Sequence, residues 1–184
     1  MKPLVLVAFA TKYGSTEETA RMVGAVMGAE GFEVDVYPVN KVPLWKPYSA
    51  VVLAAALYMG RLHKDARLFV AGGREELSHV PVALIVPGPV SSDQKDWASA
   101  QQQLDKELAR WPWLHPVAQK IVGGKWDPAK SGAMVRWMLR KVQSADARDW
   151  NAIRGWAREL AAKLRHPAAA QPDFVVDASN VRHV

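Results

Sequence analysis

Residues 11–16 read Thr-Lys-Tyr-Gly-Ser-Thr, three aliphatic hydroxyls and a glycine within six positions. They sit between an apolar run at 4–9 and a segment with helical spacing that starts near Ser15 (Ala20, Met22, Val23, Val26, Met27). Hydroxyls and free amides at a helix start form an anion site, because orphan N–H groups and the helix dipole both favour negative charge there. The one basic residue, Lys12, is not needed to reach the anion. A phosphate ester held mainly by neutral donors suits a nucleotide cofactor kept in place, not a triphosphate to be cleaved. The plainer alternative is a strand-to-helix turn with Ser15 or Thr16 as N-cap.

Two further segments carry candidate chemistry. The first is Leu57-Tyr58-Met59-Gly60-Arg61-Leu62-His63, and the second is Pro87-Gly88-Pro89-Val90-Ser91-Ser92. Tyr58 offers a flat aromatic face, or else packs over the end of the sheet. His63 has the chemistry of a general acid or base, or of a surface or capping residue. Glycine at 60 lets backbone approach a ligand closely. The five histidines show no metal-type pairing and no Ser/His/Asp pattern stands out, so neither metal nor hydrolase chemistry is expected.

The elements that position these segments follow from hydrophobic periodicity. Strands are expected at 4–9, 32–39, 50–56, 82–86 and 117–122. The runs at 50–56 and 82–86 are continuously apolar, as strands buried on both faces should be. Helices are expected from about 15, at 65–77, 97–110 and 149–164, the last with Ile153, Trp156, Ala157, Leu160 and Leu164 on one face. Short strands alternating with helices imply a doubly wound parallel sheet with helices on both faces. In such a sheet the ligand lies at the carboxyl ends of the strands, which is where all three candidate segments fall. One would hold a phosphate and the other two would flank a flat ring. Neither Gly-x-Gly-x-x-Gly nor the P-loop Gly-Lys-Ser/Thr occurs, which sets aside dinucleotides and triphosphate cleavage.

The 184 residues suffice for a sizeable core, and 49% are hydrophobic. The absence of cysteine removes disulfides, thiolate metal sites and thiol nucleophiles. No leader segment is read at the start, and the apolar runs are too short to span a bilayer, so a cytoplasmic protein is expected. Charge is uneven. Residues 1–119 balance at 12 basic and 12 acidic, whereas residues 120–165 hold 11 basic against 4 acidic. Four of the eight tryptophans (Trp126, Trp137, Trp150, Trp156) lie in that basic stretch. An anionic partner is implied, either lipid headgroups or a carboxylated substrate; no recognition motif accompanies the charge, so nucleic acid is not expected. Residues 133–142 would form a helix with a wide apolar face beside Arg136, Arg140 and Lys141. It is either an ordinary packed helix or an interfacial helix or lid. The basic residues of the last helix (Arg154, Arg158, Lys163, Arg165) read as a solvated face. Residues 166–172 read as a Pro/Ala linker before the apolar patch 174–176.

Thr11, Gly14 and Thr16 after the first strand, with the aromatic–glycine loop after the third, resemble the flavodoxin-like FMN proteins. Within them the chain is most similar to the menaquinone-dependent protoporphyrinogen oxidase branch. Residues 56–63 resemble that branch's Tyr-Gly-x-x-His loop with Met59 added between Tyr58 and Gly60, and the basic aromatic stretch before the last helix fits it too. The resemblance implies a single domain at 1–165 with five parallel strands in order 2-1-3-4-5. It also implies a basic aromatic insertion at about 125–147 and a C-terminal tail at 166–184. It implies FMN, with Thr11, Lys12, Tyr13, Gly14, Ser15 and Thr16 around the phosphate. Leu57, Tyr58, Met59 and Gly60 would flank the isoalloxazine, and Pro87, Gly88, Pro89, Val90 and Ser91 would cover its other side. It further implies transfer of electrons from an organic substrate, such as a tetrapyrrole, through flavin to a quinone, with Arg61 and His63 as candidate catalytic groups and membrane contact through 125–147. Alternatives are an electron shuttle of flavodoxin type and a non-redox protein on the same scaffold.

Overall fold

The computed structural model describes residues 2–43, 46–126 and 145–166. Its main sheet has five parallel strands: β1 (Leu4–Ala10), β2 (Glu33–Pro38), β3 (Ala50–Ala55), β6 (Val82–Pro87) and β7 (Ala118–Val122). Their spatial order is β2-β1-β3-β6-β7, the expected 2-1-3-4-5 topology. Among the described residues two short antiparallel pairs complete the strands, β4 (Leu57–Tyr58) with β5 (Arg61–Leu62) and β8 (Lys125–Trp126) with β9 (Ala145–Asp146). Neither pair is visible in the periodicity, because two-residue strands carry no period.

Alternation along each strand divides the core. Val5, Val7 and Phe9 join Val52, Ile85 and Val122 under α1 (Ser15–Ala29) and α5 (Trp150–Arg165), which contribute Val23, Met27, Ile153, Trp156 and Leu160. Leu6 and Ala8 join Leu53, Leu84 and Val86 on the opposite face. That face is covered by α2 (Lys64–Gly72), α3 (Arg74–Leu77) and α4 (Gln94–Leu108) through Ala66, Val70, Leu77 and Leu104. The central strands β1, β3 and β6 are therefore dry on both faces and apolar at every position, whereas the edge strands β2 and β7 carry Glu33, Asp35, Gln119 and Lys120.

Two expected helices change their bounds, and one expected face changes its role. The helix expected at 65–77 is two helices, with Gly73 between them, as a Gly72-Gly73 pair weakens helix continuation. The helix expected at 97–110 begins at Gln94, because the Asp93 carboxylate caps it by accepting from the Lys95 N–H at 2.9 Å. The basic face of α5 is not wholly solvated: Lys163 donates to the Val117 carbonyl at 2.6 Å and Arg165 pairs with Glu30 at 2.9 Å. The edge strand β2 is held by Asp35, which accepts from Lys46 at 2.8 Å and from the Tyr48 hydroxyl at 2.9 Å.

Two glycines make opposite predictions. A Cβ on Gly123 would lie 1.8 Å from the Ala147 carbonyl oxygen, whereas one on Gly155, inside α5, meets nothing within 4 Å. Gly123→Ala should cost roughly 1–3 kcal/mol or more through forced backbone displacement. Gly155→Ala should raise stability by about 0.5–1 kcal/mol. Urea unfolding of the two variants reads both signs.

Candidate functional site

At the carboxyl end of β1 the chain turns into α1 through Gly14, at φ 89°. The Thr11 hydroxyl accepts from the Gly14 N–H at 2.8 Å and closes the loop on itself. Gly14 occupies the cap position and no side chain caps the helix, so neither Ser15 nor Thr16 is an N-cap. The amides of Ser15, Thr16 and Glu17 in the first turn are left without intrahelical acceptors. Thr16 is fully buried, and its hydroxyl has no hydrogen-bond partner. Such an orphan costs about 1–3 kcal/mol until an acceptor arrives. Lys12 turns aside, with its ammonium 5.2 Å from the centre of the Tyr13 ring.

The second loop is a tight hairpin. Leu57 pairs with Leu62 and Tyr58 with Arg61, with Met59 and Gly60 as its two-residue tip. Both tip residues have positive φ, 50° and 78°, the signature of a type I′ turn. The added Met59 is thus what makes the hairpin, and its side chain is fully exposed. Tyr58 is 37% exposed, with its ring edge-on to His63 at 5.8 Å. Burial pushes its phenol above the ordinary tyrosine range. The Tyr13 phenol adds to this and the Lys12 backbone N–H partly offsets it, so Tyr58 reaches back to the first loop. His63 caps α2: its Nδ1 accepts from the Asp65 N–H at 3.2 Å. Accepting there places the imidazole proton on Nε2. Arg61 turns toward α4, with Nε 3.5 Å from Glu107.

The third loop is zipped to the exit of β7. The Gly88 N–H donates to Val122 at 2.8 Å and the Gly124 N–H to Pro89 at 2.9 Å. A Cβ on Gly124 would lie 2.3 Å from the Gly88 carbonyl oxygen, so only glycine permits this approach. Ser91 donates its hydroxyl to Asp96, and the Trp97 indole N–H donates to the Ser91 carbonyl at 3.0 Å.

These loops enclose two adjoining cavities of about 380 Å³ each. Tyr13, Ser15, Ala56, Leu57, Tyr58, residues 87–90, Gly124 and Lys125 line the first. Leu57 and residues 88–90 are shared with the second, which Ser91, Asp96, Ser99, Ala100 and Gln103 complete. The structure therefore brings together Tyr13, Ser15, Leu57, Tyr58, Pro87, Gly88, Pro89 and Val90 as expected. Ser91 falls in the second cavity. Thr11, Lys12, Gly14, Thr16, Met59, Gly60, Arg61 and His63 do not line the first; they shape or flank its walls. Gly124 and Lys125 were missed, although the Gly123-Gly124 pair after the last strand marked the same sheet edge.

The stretch expected as an insertion opens and closes on the β8–β9 ribbon, while residues 127–144, including the helix expected at 133–142 with Arg136, Arg140 and Lys141, lie outside the described residues. The tail beyond His166 does too. The ribbon is fastened to the first turn of α1. The buried Arg148 side chain contacts Glu18 at 2.7 Å and Asp146 at 2.6 Å, and its guanidinium lies 4.5 Å from the centre of the Trp150 ring. Lys125 adds a contact to Glu18 at 3.8 Å. The hydrogen bond from Arg148 is the main reason the Asp146 carboxyl titrates below the ordinary carboxylate range. Lys46 does the same for Asp35.

A dry parallel sheet in this strand order, with its cavity between loops at the carboxyl edge, is a flavodoxin-like α/β architecture. The family model described as Flavodoxin domain matches residues 6–151, and the chain belongs to that family. The family implies a flavin cofactor. The chain is 25% identical to protoporphyrinogen IX dehydrogenase (quinone) of Escherichia coli strain K12, over 88% of this chain and 95% of that protein. Among solved structures, a single-site mutant of flavodoxin from Pseudomonas aeruginosa superposes with TM-score 0.56 at 19% identity, covering 88% of this chain and 99% of the other. The Streptococcus pneumonia TIGR4 flavodoxin gives 0.55 at 20% identity, covering 87% and 99%.

Two outcomes are expected. Thr16→Val removes a buried hydroxyl that has no partner, so the unliganded protein should be as stable as the parent or up to about 1 kcal/mol more stable. A phosphate-bearing ligand should bind it at least about tenfold more weakly, the loss of one charge-assisted hydrogen bond. Melting without ligand and ligand titration read the opposite signs. For acid stability, Asp146 and Asp35 have folded values below the unfolded value of about 3.9. Their stabilisation is complete above that pH and is lost as pH falls through the folded values. Asp146→Asn should remove it at neutral pH, by under about 1 kcal/mol for a carboxylate this exposed, and flatten the acid limb of the stability profile.

Proposed function

We propose that this chain is an FMN-dependent oxidoreductase that takes electrons from an organic donor and passes them to a quinone, the activity that its E. coli relative's name states for that protein. The observation that carries the cofactor assignment is the pairing of a buried, partnerless Thr16 hydroxyl with a slot between Tyr58 and residues 87–90. The first is an unmet demand for an acceptor at a helix start. The second is a narrow apolar-walled space for a ring, of a size suited to small ligands. A mononucleotide flavin fits both.

In this reading the amides of Ser15, Thr16 and Glu17 and the Thr16 hydroxyl hold the phosphate. Bound FMN supplies two-electron chemistry on one side and transfer in single or paired steps on the other. Tyr58 walls the slot as a neutral phenol, which burial pushes further above the ordinary tyrosine range. The I′ hairpin and the zipped loop at residues 87–90 hold the slot open without rearrangement, which lowers the cost of binding. Leu57, Pro89 and Val90 exclude water from the ring.

The net charge of +6, whose basic excess falls in residues 120–165 of the sequence, suits an anionic donor and an anionic membrane surface where quinones reside. Among the described residues no helix is long and apolar enough to cross a membrane, so membrane contact in this reading is peripheral, through 125–147 of a cytoplasmic protein. The likeness to flavodoxins supports a second reading, an electron shuttle without a substrate of its own.

Titration of FMN into flavin-free protein, followed by its visible spectrum, should show a shifted and quenched flavin. No shift would sink both readings. Anaerobic mixing of the FMN-loaded protein with protoporphyrinogen IX and a menaquinone analogue should then yield porphyrin fluorescence that depends on the quinone. Bound flavin with no turnover would favour the shuttle.

A further inference from the structure

Glu107, near the end of α4, is only 1% exposed and stands among three guanidinium groups. Arg110 Nε lies 3.1 Å from its carboxylate, Arg61 Nε 3.5 Å and Arg67 Nε 3.9 Å. The three arginines come from separate places: β5, α2 and the turn after α4. Among the described residues, none of them pairs with another carboxylate, so the cluster carries two positive charges in excess. Its contacts are Coulombic and not hydrogen-bonded. Both Glu107 oxygens and the buried Arg67 Nε have no hydrogen-bond partner. Each guanidinium presents five N–H donors in a rigid fork, and here those forks meet one carboxylate at poor geometry. The arginine side chains remain open to solvent at 45%, 29% and 56%, while Glu107 lies beneath them.

A simple staple of hairpin to helix would need one arginine with a well-formed bidentate bond. Here the buried Arg67 Nε has no partner, and the two exposed guanidiniums beside it leave donors facing solvent where a further oxyanion could be taken. Their position says which. Arg61 is the cross-strand partner of Tyr58 in the hairpin that walls the slot. The neighbouring Gly60 lies against the Gln103 side chain. Gln103 lines the second cavity, and Glu107 follows it one turn along the same helix face. The arginines thus stand one helical turn beyond a cavity whose inner wall, Leu57 and residues 88–90, is shared with the slot.

We propose that Arg61, Arg67 and Arg110 bind a carboxylate of the electron donor, with its body in the second cavity, so that the substrate is an organic acid with an apolar skeleton. This rests on the oxidoreductase reading above. Glu107 is a positioning residue: it gathers the three guanidiniums and leaves their outer donors for the ligand.

The test uses the FMN-loaded full chain and two probes, deuteroporphyrin IX and its dimethyl ester, with binding read by quenching of protein fluorescence. The parent should bind the diacid at least about tenfold more tightly than the diester, as one charge-assisted pair supplies. The exposed pair R61Q/R110Q should lose most of that ratio through weaker diacid binding, with diester affinity held within about twofold. Equal binding of diacid and diester by the parent, or an unchanged ratio in the variant, overturns the proposal. Single variants, checked by melting, take over if the double variant fails to fold. FMN affinity is titrated in parallel. A chain that binds no flavin but separates diacid from diester keeps the carboxylate site and loses the oxidoreductase reading.

Discussion

Val5, Leu6, Val7 and Ala8 are wholly buried because α1 and α5 cover one face of the sheet and α2, α3 and α4 cover the other. A strand closed on both faces cannot offer side chains to a ligand. Only the chain that leaves its carboxyl end can do so. Every feature of the site follows from that restriction: the first turn of α1, the β4–β5 hairpin, and the loop from Pro87 all leave the same edge. The energy of the sheet is apolar burial, and it gives rigidity to an edge that is itself polar and irregular.

Two charge clusters attach the pieces that the sheet cannot hold. Arg148 fastens the ribbon to Glu18 and Asp146 with short hydrogen bonds and an aromatic face behind it. Its demand for acceptors is met, and it reads as structure. Glu107 gathers three arginines without a hydrogen bond to its own oxygens or to the buried Arg67 Nε. Removing one partner of a satisfied pair strands the other, whereas an unsatisfied cluster can still improve by taking a ligand. That difference in hydrogen bonding, not charge alone, separates a clasp from a receptor. It also explains why the basic balance of residues 120–165 was only part of the electrostatic picture, since Arg61, Arg67 and Arg110 all lie in the evenly balanced part of the chain.

Much of the scaffold was legible because the signals are local. The continuous apolar runs marked β3 and β6, and the 3.6-residue spacing marked α1 and α5. The Asp93 cap was in the sequence as well, and a helix start placed by hydrophobic spacing alone passed over it. The phosphate loop was legible as a set of donors, but not in its internal use: Thr11 accepts from Gly14 within the loop, whereas Thr16 is the hydroxyl left without a partner. Met59 had stood out as an added residue. In the structure it supplies one of the two left-handed positions of a hairpin tip, a role that a methionine does not announce because its side chain is poorly suited to it.

Determined by the sequence alone are the order of the five main-sheet strands, the edge at which the three loops meet, and the likeness to flavodoxins that residues 11–16 and 57–60 carry. Each of these depends on neighbours within a few positions, where periodicity, turn chemistry and helix-end electrostatics act. The tertiary structure decided which groups are engaged and which are free. It joined Arg148 to Glu18 across 130 residues and pressed Gly88 against Gly124. It also brought three arginines from separate elements onto one buried carboxylate. Pairings of that kind arise when packed layers bring distant side chains within reach, and burial then fixes how much an unmet hydrogen bond costs.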